Sequence, residues 1–273
     1  MPVRKISLKL TALLILLAAL SIPAQAKEIC TIVADAADGK VLMEQGDCKT
    51  RVTPASTTKI ALAVMGFDSG FLKDPHSPEL PFKDGYADWL GGVWRQPTDP
   101  KRWLEYSVVW YSRLLAGELG TERLERYASA FGFGNADFSG DPGKRNGLER
   151  AWISSSLKVS PEEQVQFLWK LVNRTLPVAP GVFDKVYETV EMMPLPDGMR
   201  VHGKTGSAFP RRVDGSFDRD HAYGWFVGWG EKNSRTIVFA RLEQAEGQGT
   251  GGGLRVRERF LRQLPSLSKT LLR

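Results

Sequence analysis

Histidine and cysteine are scarce in this chain of 273 residues, with three of the first and two of the second. His76, His202 and His221 lack the close spacing of metal ligands, so no metal site is expected and zinc chemistry is excluded. Two cysteines are too few for a small disulfide-built scaffold. After residue 26 no apolar run is long enough to cross a membrane. There is no internal repeat and no low-complexity tract. What remains is globular composition, 42% hydrophobic and 25% charged, enough for a substantial core.

The start of the chain reads differently from the rest. Basic residues Arg4 and Lys5 precede an apolar run from Leu10 to Ile22, and Ala24-Gln25-Ala26 is a small-x-small cleavage site. Residues 1–26 are therefore expected to be a cleavable signal peptide, too short to span a membrane, and 27–273 a single domain without a membrane anchor. Removing 26 of 273 residues leaves 247, and the loss of Arg4, Lys5 and Lys9 lowers the net charge from +6 to +3. So small a balance gives no reason to expect a nucleic-acid partner. Cys30 and Cys48 lie on either side of two short strand-like runs that turn at Asp38-Gly39. The midpoint of the two cysteines is residue 39, which sets them opposite each other at the open end of a hairpin. Export makes a disulfide the expectation and two free thiols the alternative.

Further along, Ser56 to Val64 reads as a helix buried nearly all round, and residues 73–102 as an aromatic-packed connection. Trp103 to Leu119 and Thr121 to Phe131 read as helices. Ser160-Pro161-Glu162-Glu163 is a capping box that opens a helix to about Asn173. The pattern then changes to strands at Val201–Thr205, Ala222–Trp229 and Thr236–Leu242, followed by a helix from Leu254 to Leu264. Strands at both chain ends with helices between them predict an α+β fold: one antiparallel sheet built from both termini, with a helical insertion.

The lysine in Ser56-Thr57-Thr58-Lys59 stands at the edge of an apolar run, Ile60 to Phe67. Residues i and i+3 share a helix face, so hydroxyl and amine can meet. Burial would lower the amine's pKa and leave it neutral, able to act as a base or react further. A structural lysine whose stem snorkels to water fits the same letters. The S-x-x-K pattern recurs at Ser155-Lys158 and Ser266-Lys269, but only Lys59 leads straight into an apolar helix. Lys204-Thr205-Gly206, followed by Ser207, ends a predicted strand and offers a cation for a carboxylate beside close backbone approach. Ser107-Val108-Val109 falls inside a predicted helix and by itself reads as core packing.

Taken in order, S-x-x-K, S-x-V and K-T-G resemble the penicillin-recognising serine enzymes. The chain is similar to the class D, oxacillinase-type serine β-lactamases over essentially all of residues 27–273. Further matches are P-A-S-T-x-K at 54–59, Y-S-V-V-W at 106–110 and Gly134-Asn135. Ala151-Trp152 followed by S-L-K-x-S-P-x-E-Q, H-G-K-T-G at 202–206 and G-W-F-V-G-W at 224–229 complete the set. The resemblance implies the serine β-lactamase and penicillin-binding transpeptidase fold, a small β-lactam substrate, and no cofactor beyond the carbon dioxide or bicarbonate that carboxylates Lys59. It implies Ser56 as nucleophile, the carbamate of Lys59 as base, and backbone N–H groups of Ser56 and Ser207 as the oxyanion hole. Ser107 is expected to relay a proton to the leaving nitrogen. Trp152 is expected to donate to the carbamate, under an apolar lid of Val109 and Ile153. Lys204, Thr205, Gly206 and Ser207 would line the substrate site, with Arg255 or, alternatively, Arg257 taking the substrate carboxylate. One departure stands out: Phe133-Gly134-Asn135 replaces the family's Tyr-Gly-Asn, which removes a phenol and keeps the packing surface.

Two other activities share these motifs, a penicillin-binding transpeptidase or carboxypeptidase and a β-lactam sensor domain. The S-D-N, Y-x-N and E-x-x-L-N segments of the neighbouring lactamase classes are missing. With the signal peptide, the resemblance implies the periplasm of a Gram-negative bacterium.

Overall fold

The computed structural model describes residues 26–247 and 252–271. The predicted signal peptide lies outside them except for Ala26.

The chain opens with the expected hairpin, β1 (Lys27–Asp35) and β2 (Val41–Gly46). Gly39 supplies the left-handed backbone of the turn at φ +74°. Cys30 pairs across the hairpin with Gly46, two residues short of Cys48, and the disulfide Cys30–Cys48 closes the open end with Cα atoms 5.1 Å apart. A 3-10 turn at Ala55–Thr57 leads into α1 (Thr58–Asp68), whose residues from Thr58 to Phe67 are all buried. Apolar residues all round mark this as a helix inside the core rather than on its surface.

The helix expected over Trp103–Leu119 is in fact two. These are α2 (Pro100–Glu105), capped by Asp99, and α3 (Val109–Leu119). Between them Ser107 takes φ +58°, and the Val108 N–H reaches back to the Trp103 carbonyl at 3.0 Å. Apolar residues on both sides of the break keep the helical period going, so the pattern does not betray the interruption. α4 (Thr121–Phe131) buries Leu124, Ala128 and Phe131 on one stripe and stops at Gly132 in the left-handed conformation. The short α5 (Gly147–Arg150) sits in the irregular stretch between α4 and the next long helix. α6 (Pro161–Val172) starts with the full capping box, Ser160 Oγ accepting from Glu163 N and Glu163 Oε2 accepting from Ser160 N. α7 (Gly181–Thr189) and the three-residue β3 (Met192–Pro194) have no counterpart in the sequence reading. Val182, Phe183 and Val186 give α7 helical spacing, but β-branched and aromatic side chains and no N-cap side chain obscure it. β4 (Arg200–Ala208), β5 (Tyr223–Lys232) and β6 (Arg235–Gln244) follow, then α8 (Gly253–Leu271), which runs past Leu264.

The six strands form one antiparallel sheet in the order β2-β1-β6-β5-β4-β3. β1 lies against β6, pairing Thr31 with Arg241, so both ends of the chain meet in the middle of the sheet as expected. Alternation along the strands separates two apolar layers. Ile32, Ala34, Trp225, Val227, Trp229, Val238 and Ala240 face the helical insertion. Val33, Phe226, Ile237 and Phe239 face α8, which returns Val256, Phe260 and Leu264 at every fourth position. β5 is therefore buried on both faces, which is why its run G-W-F-V-G-W reads as continuously apolar. Among the described residues no helix is long and apolar enough to cross a membrane.

The disulfide closes a loop of 18 residues, and losing that constraint on the unfolded chain costs about 3 kcal/mol. A Cys30→Ser, Cys48→Ser double variant is expected to unfold at correspondingly lower denaturant with its sheet intact. Urea unfolding followed by circular dichroism checks it, and unchanged stability would show that the bridge adds nothing.

Candidate active site

Five hydrogen bonds aim the segment before Ser56. Val52 and Val159 exchange backbone hydrogen bonds of 3.1 and 2.9 Å. Thr53 Oγ1 donates to the Trp152 carbonyl at 3.0 Å and accepts from Ser154 N at 2.9 Å, while the Thr53 carbonyl accepts from the Trp225 indole at 2.9 Å. The loop carrying Trp152, the central strand β5 and the nucleophile's approach are thus one unit. The turn itself is held by Thr57 Oγ1, which donates to the Pro54 carbonyl at 2.7 Å and accepts from Gln164 Nε2 on α6 at 2.8 Å. Non-glycine residues with positive φ gather here: Ala55 at +52°, Ser107 at +58° and Ser154 at +55°. Such backbone is uphill by about 1–3 kcal/mol and persists where the surroundings over-determine it.

Lys59 Nζ lies 3.0 Å from Ser56 Oγ, and the lysine is completely buried. Burial, reinforced by the neighbouring charge of Lys204, holds its amine well below the ordinary lysine range. The snorkelling alternative is excluded, since no part of the side chain reaches water. The Ser155-x-x-Lys158 run behaves differently, with Ser155 Oγ donating to the Asp141 carboxylate at 2.6 Å.

Register brings the second motif to the first. Lys204 pairs with Val227 and Gly206 with Trp225, so both face the helical layer that holds Ser56. At Gly206 a β-carbon would sit 2.9 Å from the Pro54 carbonyl and 3.2 Å from Thr57 N, so glycine is what lets β4 lie against the serine turn. Thr205 and Ser207 point the other way along the strand, and Ser207 Oγ accepts from Gly253 N at 2.8 Å at the start of α8. Lys204 is buried too, and burial lowers its pKa to about 8, with Glu191 opposing the fall and Arg257 adding to it.

Ser56, Ser107, Val109, Lys204, Thr205, Gly206 and Ser207 line one cleft of about 420 Å³. Among the described residues the larger cavities hold no hydrogen-bonded serine–lysine pair; Ser155 and Lys158 line one of them, but the Ser155 hydroxyl is given to Asp141. Trp152 does not line the cleft; it is fully buried, its indole N–H without a hydrogen-bond partner. The indoles of Trp169 and Trp229 also lack a partner, but Trp152 alone of the three is fastened to the segment leading into Ser56. Ile153 lines a neighbouring cavity with Trp89, Ser207 and Phe217 rather than this cleft. Phe133, Gly134 and Asn135 line none of these cavities. Phe133 is buried edge-on against Phe167, and Asn135 Oδ1 accepts from Lys158 N while its Nδ2 donates to the Ser156 carbonyl. They anchor the loop that presents Trp152.

Arg255 does not reach the cleft. It is exposed, whereas Arg257, two positions on and therefore on another face of α8, lines the cleft and pairs with Glu191 at 3.2 Å. Glu191 was not visible to sequence reasoning, because it follows the unforeseen α7 and belongs to no motif. Nor was the apolar rim of Trp89, Leu90 and Leu254, all more than half exposed at the cleft mouth.

Residues 29–266 match the family described as Transpeptidase, the penicillin binding protein transpeptidase domain. β-Lactamase OXA-9 of Klebsiella pneumoniae is 44% identical over 239 residues, 87% of each chain. β-Lactamase OXA-1 of Escherichia coli is 35% identical over 204 residues, 74% of this chain and 70% of the other. The crystal structure of OXA-427 class D β-lactamase superposes with a TM-score of 0.82 at 45% identity, covering 89% of this chain and 99% of that one. The six-stranded antiparallel sheet with its helices is the fold that the resemblance implied.

A Gly206→Ala variant tests the contact between strand and serine turn. Forcing them apart is expected to cost about 1–3 kcal/mol of stability. It should also slow hydrolysis of a β-lactam by about a hundredfold, the size of effect that an ångström's displacement in an active site can have. Steady-state kinetics with a penicillin measures it, and a wild-type rate would show that the close approach is dispensable.

Proposed function

The chain belongs to the class D serine β-lactamases, hydrolases of the β-lactam amide whose activity confers antibiotic resistance, and on that premise we propose a covalent route through Ser56 with Lys59 as its base. The observation that carries this reading is the buried amine 3.0 Å from the serine hydroxyl, in a cleft lined by Lys204-Thr205-Gly206-Ser207.

Carbon dioxide is the co-reactant of Lys59 in this proposal, and the residues present fit it. Only a neutral amine attacks carbon dioxide, and burial supplies one. The product is an anion that needs donors, and the buried Trp152 indole has an N–H without an acceptor. When carboxylated, Lys59 presents an anionic oxygen base in place of an amine.

Ser56 Oγ gives up its proton toward Lys59 and attacks the lactam carbonyl carbon. Backbone N–H groups of Ser56 and Ser207, both at the cleft wall, stabilise the oxyanion. The C–N bond breaks, Ser107 hands a proton to the departing nitrogen and takes up the one held at Lys59, and an ester remains on Ser56 with the base free again. Water, deprotonated toward Lys59, then hydrolyses that ester and restores the serine. Lys204, Thr205 and Arg257 receive the substrate carboxylate, and Val109 keeps water from crowding the base. The basic start, apolar run and Ala24-Gln25-Ala26 support export through a cleavable signal peptide to the periplasm, where the Cys30–Cys48 bridge can form.

A Lys59→Ala variant is expected to acylate slowly and almost never deacylate, so that intact mass shows a stable penicillin adduct on Ser56. The wild type, inactivated at mildly acidic pH, is expected to recover on adding bicarbonate. Multiple rapid turnovers by the variant, or recovery indifferent to bicarbonate, would remove Lys59 from this role.

The pH profile tests Lys204. Its charge is present below about 8 and lost above it, so binding of an anionic substrate should weaken as pH rises. Since kcat/KM reports groups of the free enzyme, it is expected to fall above pH 8 for a penicillin. A profile flat to pH 10 would contradict the assignment.

A further inference from the structure

A carboxylate of the protein already holds Arg257, the cation at the cleft wall. Its Nη1 lies 3.2 Å from Glu191 Oε2, and among the described residues it has no other ion-pair partner. Both side chains line the Ser56 cleft and both reach water, with Glu191 39% and Arg257 26% exposed. Glu191 is fixed beside the substrate strand: it precedes β3, which pairs with β4, and its carbonyl accepts from Gly203 N, next to Lys204. The contact to Arg257 is a single one rather than a two-pronged clamp, so it can open.

We propose that Glu191 is a built-in competitor for the substrate carboxylate, holding Arg257 in the free enzyme and setting the affinity for anionic β-lactams. The inference rests on the reading above, in which Arg257 and Lys204 receive that carboxylate. An incoming anion either displaces Glu191 or shares the guanidinium with it at close quarters, and both lower affinity. In return, Glu191 opposes the effect of the Arg257 charge on Lys204 and so favours the charged form of that lysine. A half-exposed pair of this kind contributes modestly, so the expected effect is a few-fold change in KM. The interaction belongs to substrate binding and not to bond breaking, so kcat should not move.

The experiment compares benzylpenicillin with its neutral methyl ester, at pH 7 and with active sites titrated, in the wild type, Glu191→Gln, Glu191→Asp and Arg257→Ala. Glu191→Gln is expected to lower KM for the acid two- to fivefold, with kcat within twofold and the ester unaffected. Glu191→Asp withdraws the charge by one methylene and should fall between. It carries the test if the glutamine variant does not accumulate. Arg257→Ala should raise KM for the acid about tenfold and leave the ester unchanged. If Arg257→Ala discriminates acid from ester while the Glu191 variants do not, the competitor role is overturned and the carboxylate site stands. If Arg257→Ala does not discriminate either, the carboxylate site falls and the competitor role with it.

Discussion

The amine of Lys59 is held out of water, and the charge that acts on it is that of another lysine, Lys204. An unpaired ammonium in such a place costs several kcal/mol, so the amine stays neutral. That constraint needs a helix buried on every side, and α1 is buried from Thr58 to Phe67. Such a helix in turn needs a sheet on one side and several helices on the others. The helical insertion, the apolar face of the sheet and the clamps at Thr53 and Thr57 all serve to keep solvent from one nitrogen. Lys204 brings a second buried amine to the same place, and a pKa of about 8 leaves it able to carry charge near neutral pH.

Strain is the other resource of the site. Ala55 and Ser107 turn through left-handed backbone where side chains of the cleft must be presented, and Ser154 does so in the loop behind them. Each is surrounded by hydrogen bonds that leave the chain little choice. The Phe133-Gly134-Asn135 segment acts at one remove. Gly134, at φ +64°, lets the backbone approach the Lys158 carbonyl so closely that a β-carbon would fall 2.1 Å from it, and Asn135 then binds the loop on both sides. No polar group at residue 133 takes part, so phenylalanine there keeps the packing on which the loop depends.

Much of this is legible in the letters because the constraints are local or periodic. The all-apolar run of α1, the capping box at Ser160, the Asp38-Gly39 turn and the continuous apolar run of β5 each follow from one short stretch. The pairing of β1 with β6 follows from strands left without nearer partners. What stays hidden depends on orientation. The break at Ser107 leaves the apolar period undisturbed. Arg255 and Arg257 differ only in helix phase, which is set by how α8 docks through Val256 and Phe260. Glu191 reaches the cleft only because α7 and β3 deliver it there, and neither announces itself in composition.

The place of β1, between its hairpin partner and β6, bears on the order in which the chain can acquire its structure. Thr31 is paired with Arg241 across roughly 210 residues of sequence, and β1 has no other neighbour but its own hairpin partner. Closing so long a loop must wait until nearly all of the chain is available, and pairings of that range make folding slow. The hairpin of β1 and β2 is local, by contrast, and its bridge joins cysteines only 18 residues apart. A chain emerging from its N-terminus can therefore complete and lock this hairpin early. The strand that later joins β6 then awaits its partner already shaped.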